Sequence, residues 1–100
     1  MEIQTAENEK ITRILFSGDL SIAQATEMYD QLRKFEWQMP EISIQTQAVE
    51  NMDLSFLQLI YSFAREMKHS GKKLIFEFQF EEEIERIFEE SGFRQAFEKI

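Results

Sequence analysis

The side chains best placed to do chemistry lie in one short segment, residues 49–59. Ser55 stands there at the predicted start of a helix, and Gln58 completes the Ser-x-x-Gln pattern of a capping box. The free N–H groups and positive dipole end of a helix also accommodate phosphate, so Ser55 could carry an added charge of about −1.5 to −2 without unfolding the domain. Two interpretations of Ser55 stay open: a helix cap alone, or a cap that is also a modification site.

Patterns typical of enzymes and metal sites are missing from the sequence. Three scattered glycines supply neither G-x-G-x-x-G nor a phosphate-binding loop, and there is no cysteine. The one histidine, His69, falls at the polar end of a predicted helix, where a cation suits the dipole. Glutamates between positions 81 and 90 spread around a helix with Arg86 among them, which is typical of a solvated face. We therefore expect a non-enzymatic protein with no cofactor and no metal ion.

Composition and charge narrow the possible partners. The chain has 100 residues, 43% of them hydrophobic, and a formal net charge of −8. Nucleic acid and anionic membrane surfaces both need clustered Lys and Arg, so neither is expected as a partner. A basic protein, or a partner not selected by charge, fits better. No apolar run approaches a membrane span, and residues 1–4 lack the pattern of a signal peptide, so we expect a cytoplasmic protein without membrane insertion.

The hydrophobic periodicity predicts a single α/β domain over residues 1–100. Its sheet is mixed, with four to five strands that begin in an N-terminal antiparallel hairpin, and three to four helices cover it (order ββαβαβα). The segment that contains Ser55 then follows the carboxyl end of a strand, where such sheets place functional loops. The predicted strands are 2–6, 10–17, 41–47 and 73–80; the helices begin at Ser21, at about Ser55 and at 81–83, and residues 94–100 form a short helix or an edge strand.

Local signals predict how these elements begin, end and pack. Ser21 and Gln24 match a capping box, residues 18–20 break the second strand, and Gly71 and Gly92 are predicted to end helices. Each helix should bury one apolar face: Ile22, Ala25, Met28, Tyr29, Leu32 and Phe35 in the first, Phe56, Leu59, Ile60, Phe63 and Met67 in the second, and Ile84, Ile87 and Phe88 in the third. Phe76 and Phe78 should face the interior from the last strand.

Five short motifs follow one another along nearly the whole chain: Gly18-x-Leu20, Ile42-Ser43-Ile44, Met52-Asp53-Leu54-Ser55-Phe56-Leu57, Gly71-Lys72-Lys73-Leu74 and Ser91-Gly92-Phe93. In this order and spacing they resemble the STAS domain family, which includes the bacterial anti-sigma factor antagonists.

The resemblance implies roles for individual residues. Antagonists of this family typically carry Asp-Ser-Ser/Thr-Gly-Leu before the second helix, and a Ser/Thr kinase that is also the anti-sigma factor phosphorylates the second hydroxyl residue. Asp53 matches the family Asp, Ser55 the phosphoacceptor and Leu57 the Leu. Leu54 replaces the first hydroxyl residue and Phe56 the glycine, and in addition Gln45 stands where many members have an Asp.

Two functions follow from the resemblance. The first is a partner-switching regulator that binds an anti-sigma factor or Ser/Thr-kinase-like protein until Ser55 is phosphorylated. Its candidate partner-binding residues are Asp53, Leu54, Phe56 and Gln58, with Phe56 an apolar anchor if it is exposed. The alternative is the small STAS subunit of a phospholipid-transport ABC system, which binds the nucleotide-binding subunit constitutively; the helix start Gln58-Leu59-Ile60 is similar to such stand-alone forms.

Overall fold

Four strands form one mixed sheet in the computed structural model, which describes residues 1–100. The sheet order is β1-β2-β3-β4; β1 pairs antiparallel with β2, whereas β2–β3 and β3–β4 are parallel. Four helices and one 3-10 turn complete the chain, so the predicted fold class is confirmed. In chain order the elements are β1 (Glu2–Glu7), β2 (Ile11–Leu20), a 3-10 turn (Ile22–Gln24), α1 (Ala25–Lys34), β3 (Glu41–Met52), α2 (Leu54–His69), β4 (Lys73–Phe78), α3 (Glu82–Ser91) and α4 (Phe93–Glu98).

Alternating residues of the sheet build the core. Ile14, Ile44 and Phe76 lie side by side across β2, β3 and β4, because successive side chains of a strand point to opposite faces. The next row along the other face contains Leu15, Gln45 and Glu77. There Gln45 Nε2 donates to Ser43 Oγ at 3.1 Å and to Glu77 Oε1 at 3.3 Å, so this face is largely polar.

Strands β2 and β3 run further than predicted. The sequence prediction ended β3 at Gln47 and broke β2 at residues 18–20, whereas the strands continue to Met52 and Leu20. The pairing register shifts on either side of Gly18, which has φ +82°, and Ala48 on β3 has φ +49°. The extra residues lie in β3, opposite Gly18, and the two strands stay paired beyond this bulge up to Leu20 and Met52.

The apolar face of the first helix is narrower than predicted. The expected capping box is absent: Ser21 makes no side-chain cap, and the chain forms a 3-10 turn before α1 begins at Ala25. Of the six predicted core positions only Met28 and Leu32 are buried, while Ile22 is 68% exposed and Tyr29 49% exposed. The prediction was also wrong for Ile87 on α3, which is 37% exposed.

An aromatic cluster fixes the connection between α1 and β3, at the amino ends of the parallel strands. The ring of Trp37 packs 4.5 Å from that of Phe35 and 4.9 Å from that of Phe63 on α2, measured between centroids. Its indole N–H donates to the Leu32 carbonyl at 2.9 Å. Lys72 Nζ donates to the carbonyls of Trp37 and Met39, at 2.7 and 2.6 Å, and so ties the connection to the start of β4.

Phenylalanines hold the last two helices against the sheet. Phe97 on α4 lies 4.9 Å from Phe76 and 5.1 Å from Phe78 between ring centroids, and Phe88 on α3 lies 5.4 Å from Phe78. Gly92, at φ +80°, separates the two helices as predicted. The alternative left open for the C-terminal residues is thereby decided in favour of a helix.

Candidate functional site

The carboxylate of Asp53 connects the segments that follow β2 and β3 at the carboxyl ends of these parallel strands. We call this end of the sheet, which contains Ile22, Asp53, Leu54 and Ser55, the Ser55 edge. Asp53 has extended backbone angles and is the N-cap of α2: its Oδ1 accepts the N–H of Ser55 at 3.0 Å. Its other oxygen, Oδ2, accepts the N–H of Ile22 at 2.9 Å, across 31 positions in the chain. Asp53 therefore fastens the 3-10 turn after β2 to the start of α2.

Ser55 is not the N-cap of α2, which corrects the sequence prediction. The helix begins at Leu54, so Ser55 is its second residue, and the predicted capping box with Gln58 does not form. The hydroxyl of Ser55 takes part in none of the hydrogen bonds of the structure, and the residue is half-buried. Ser55 thus presents a partly accessible hydroxyl in the first turn of α2 that the fold does not use.

The other predicted partner-binding residues separate into exposed and buried ones. Leu54 is 49% exposed and Gln58 is exposed, so both are accessible. Phe56 is completely buried, with its ring edge-on to Phe16 at 5.4 Å between centroids. Phe56 could act as an apolar anchor only if it were exposed. Because it is buried, its side chain belongs to the core.

Sequence reasoning missed Ile22. The hydrogen bond to Asp53 brings the start of the 3-10 turn to the start of α2, and Ile22 is the most exposed large apolar residue of the chain at 68%. Its helical spacing with Met28 and Leu32 suggested the core. The helix predicted to begin at Ser21 placed Ile22 on its buried face, whereas the structure has a 3-10 turn there and leaves Ile22 exposed.

This edge of the sheet is poor in cations. Residues 14–32 and 35–64 contain no Lys or Arg, and they include Asp19, Glu50 and Asp53 near the strand ends. The carboxyl end of β4 leads into a run of three glutamates, residues 81–83, at the same edge. The apolar residues Ile22 and Leu54 therefore lie in negatively charged surroundings.

Two negative findings concern the whole chain. No three His, Asp or Glu side chains lie close enough together to hold a metal ion. No helix has both the length and the apolar character needed to cross a membrane.

Comparisons with known proteins define the fold class. No family model and no curated protein matches the sequence. Solved structures do match, and the class they define is the STAS fold that the sequence motifs predicted. The chain is similar to SpoIIAA, described as a Bacillus cell fate determinant in its phosphorylated form, with a TM-score of 0.66, 16% identity, and coverage of 94% of this chain and 86% of SpoIIAA.

Two further structures show the same architecture. The unphosphorylated form of SpoIIAA, described as an anti-sigma factor antagonist, matches with a TM-score of 0.60 and 16% identity over 91% of this chain and 99% of that one. Native Mglu matches with a TM-score of 0.65 and 11% identity over 76% of this chain. The present chain spans 23% of the length of that Mglu chain. At these identities the likeness establishes the fold.

Proposed function

We propose that this protein is a non-enzymatic regulator that binds a protein partner at the Ser55 edge and is controlled by phosphorylation of Ser55. The observation that carries the proposal is that two exposed apolar residues, Ile22 at 68% and Leu54 at 49%, lie in the two segments that Asp53 joins, together with the unused Ser55 hydroxyl; we call them the apolar pair. Large apolar side chains grouped at the surface and rimmed by polar groups are typical of protein-binding sites. The partner-switching mode of the anti-sigma factor antagonists fits this arrangement.

The charge of the edge indicates the chemistry of the partner. Its apolar centre needs an apolar counterpart, and its carboxylates favour a partner with Lys and Arg around the contact, because complementary charges steer association. An anti-sigma factor of the Ser/Thr kinase class is the partner we propose. It would contact Leu54, Ile22 and Gln58 and would place its phosphoryl-transfer site at Ser55.

Site-specific photo-crosslinking tests which partner binds. A photoreactive phenylalanine at position 54, introduced in the source organism, should crosslink to a Ser/Thr-kinase-type protein identified by mass spectrometry. The matched control carries the same group at Lys73, which is exposed at the amino end of β4, on the opposite edge of the sheet. Equal crosslinking from both positions, or capture of a transporter ATPase from position 54, would contradict the proposal.

Calorimetric titration of the identified partner tests the switch. Ser55→Asp should weaken binding at least tenfold relative to Ser55→Ala, because the carboxylate would lose hydration when the apolar contact beside it closes. Leu54→Ser should weaken it by about tenfold through lost apolar contact, with the melting temperature nearly unchanged since Leu54 is half exposed. Equal affinities of the two Ser55 variants, with no phosphate on Ser55 in the native protein, would leave a constitutive binding subunit.

A further inference from the structure

We infer that Asp53 is a positioning residue which transmits the charge state of Ser55 to Ile22. This inference rests on the proposed function and names how the same site is regulated. The two oxygens of the Asp53 carboxylate accept the N–H groups of Ser55 at 3.0 Å and Ile22 at 2.9 Å. One side chain therefore joins the proposed phosphoacceptor to the more exposed half of the apolar pair.

A phosphate on Ser55 would compete with this carboxylate. Both anions would seek the few free N–H groups in the first turn of α2, and the Ser55 N–H is the one that Asp53 already occupies. A dianion and a carboxylate two residues apart also repel each other. The expected response is that Asp53 turns away and gives up its hydrogen bond to Ile22.

Little else holds Ile22 in place. The remaining bonds of the turn are local: the Ala25 N–H donates to the Ile22 carbonyl, the Gln24 N–H donates to the Ser21 carbonyl at 2.9 Å, and the Ser21 N–H donates to Asp19 Oδ1 at 3.0 Å. The side chain of Ile22 is 68% exposed and contributes little packing. Loss of the Asp53 bond would therefore free the turn and break up the surface that Ile22 forms with Leu54.

This coupling accounts for release where charge alone does not. A partner with a cationic rim, which the surroundings of Leu54 favour, would be drawn to an added phosphate rather than repelled. Release then requires a change in the apolar contact itself. Displacement of Ile22 supplies that change, because it alters the shape of the surface and leaves the core untouched.

Amide hydrogen exchange measured by NMR tests the coupling without a partner. In protein with genetically encoded phosphoserine at position 55, the Ile22 amide should exchange at least tenfold faster than in the parent. Asp53→Asn should do the same with Ser55 unmodified: Asn Oδ1 still caps Ser55, but the amide NH2 cannot accept from Ile22. The Met28 amide in α1 should be unchanged in both proteins.

Two control variants separate the coupling from general loosening. Ser55→Ala adds no charge and should leave Ile22 exchange as in the parent. Asp19→Ala removes the side-chain acceptor of the Ser21 N–H and should therefore affect the Ser21 amide more than that of Ile22. Unchanged Ile22 exchange in the phosphoserine protein would overturn the inference. Because this protein is made without a kinase, that result is independent of whether a partner phosphorylates Ser55 in cells.

Discussion

At the residue scale, the N-cap role predicted for Ser55 belongs to Asp53. Asp53 supplies the cap and the tether, while the hydroxyl of Ser55 is free of both. A structural role therefore rests on the carboxylate, and a modification at the hydroxyl need not remove a cap. This division favours Ser55 as a site where charge can be added and removed.

Removing the Asp53 side chain should lower the free energy of unfolding more than removing the Ser55 hydroxyl. Asp53→Ala should lower the free energy of unfolding by about 0.5–2 kcal/mol, the usual effect of removing an N-cap, because two backbone N–H groups lose their acceptor. Ser55→Ala should change it by less than about 0.5 kcal/mol, since no hydrogen bond is lost. Urea denaturation followed by circular dichroism measures both. A larger effect at Ser55 than at Asp53 would contradict the assigned cap.

The sequence alone located the segment at the start of α2, but it did not show which of its residues caps the helix. Ser55-x-x-Gln58 satisfies a capping pattern, yet Asp53 is also a favoured cap, and the choice depends on which residue has extended backbone angles. The burial of Phe56, by contrast, was predicted from its helical spacing with Ile60 and Phe63, and its ring does lie against Phe16 in the core. The family motif alone gives no indication of that burial.

At the element scale, β2 and β3 continue past an irregular stretch in their middle and end beside Asp53. Ala48 has φ +49°, a left-handed conformation that costs an L-residue with a Cβ about 1 kcal/mol. The register between β2 and β3 shifts on either side of Gly18, and beyond these shifts Leu20 lies opposite Met52. Asp53, the next residue, is thereby brought beside the turn that holds Ile22.

Relief of this backbone strain should stabilise the protein. Ala48→Gly should raise the free energy of unfolding by about 0.5 kcal/mol, because glycine adopts positive φ freely and only part of the gain is offset by its more flexible unfolded chain. The matched control, Ala96→Gly inside α4, should instead lower it by about 0.5–1 kcal/mol. Thermal melts of both variants check the signs, and destabilisation by Ala48→Gly would show that the side chain matters more than the strain.

Element order was predictable where periodicity is long and regular. Alternation in β4 and the apolar stripe of α2 gave the right element types, since both follow from which face meets the core. The strand extensions past Ser17 and Gln47 were not predictable, because a glycine inside a strand reads as a break as readily as a bulge. The six-position face of α1 failed for a different reason: spacing does not show how much of a helix its neighbours cover.

At the scale of the whole molecule, the net charge of −8 sets a background of self-repulsion. Only three ion pairs form, Lys73–Glu41, Arg94–Glu85 and Arg94–Glu89, so most carboxylates have no cationic partner. Repulsion among them opposes the folded state more than the expanded one. Screening by salt should therefore favour folding.

Raising sodium chloride from 10 to 150 mM at pH 7 should increase stability by about 0.5–1 kcal/mol, or roughly 2–8 °C in melting temperature, as the screening length falls to about 8 Å. Differential scanning calorimetry measures the shift. The double variant Glu7→Gln with Glu9→Gln, which removes two exposed charges from the β1–β2 turn region, should show a smaller shift. A melting temperature that falls with salt would mean that attractive pairs outweigh the excess negative charge.

The packing of Trp37 gives the protein a built-in optical reporter. It is the only tryptophan, its ring lies against Phe35 and Phe63, and it sits at the amino ends of the parallel strands, across the sheet from Ser55. Unfolding would hydrate the indole and shift its emission to longer wavelength, whereas phosphorylation or partner docking at the Ser55 edge would leave its surroundings intact. Intrinsic fluorescence therefore offers a label-free readout of folding that is insensitive to changes at the Ser55 edge, so a single sample can distinguish a misfolded variant from one that is folded but cannot bind.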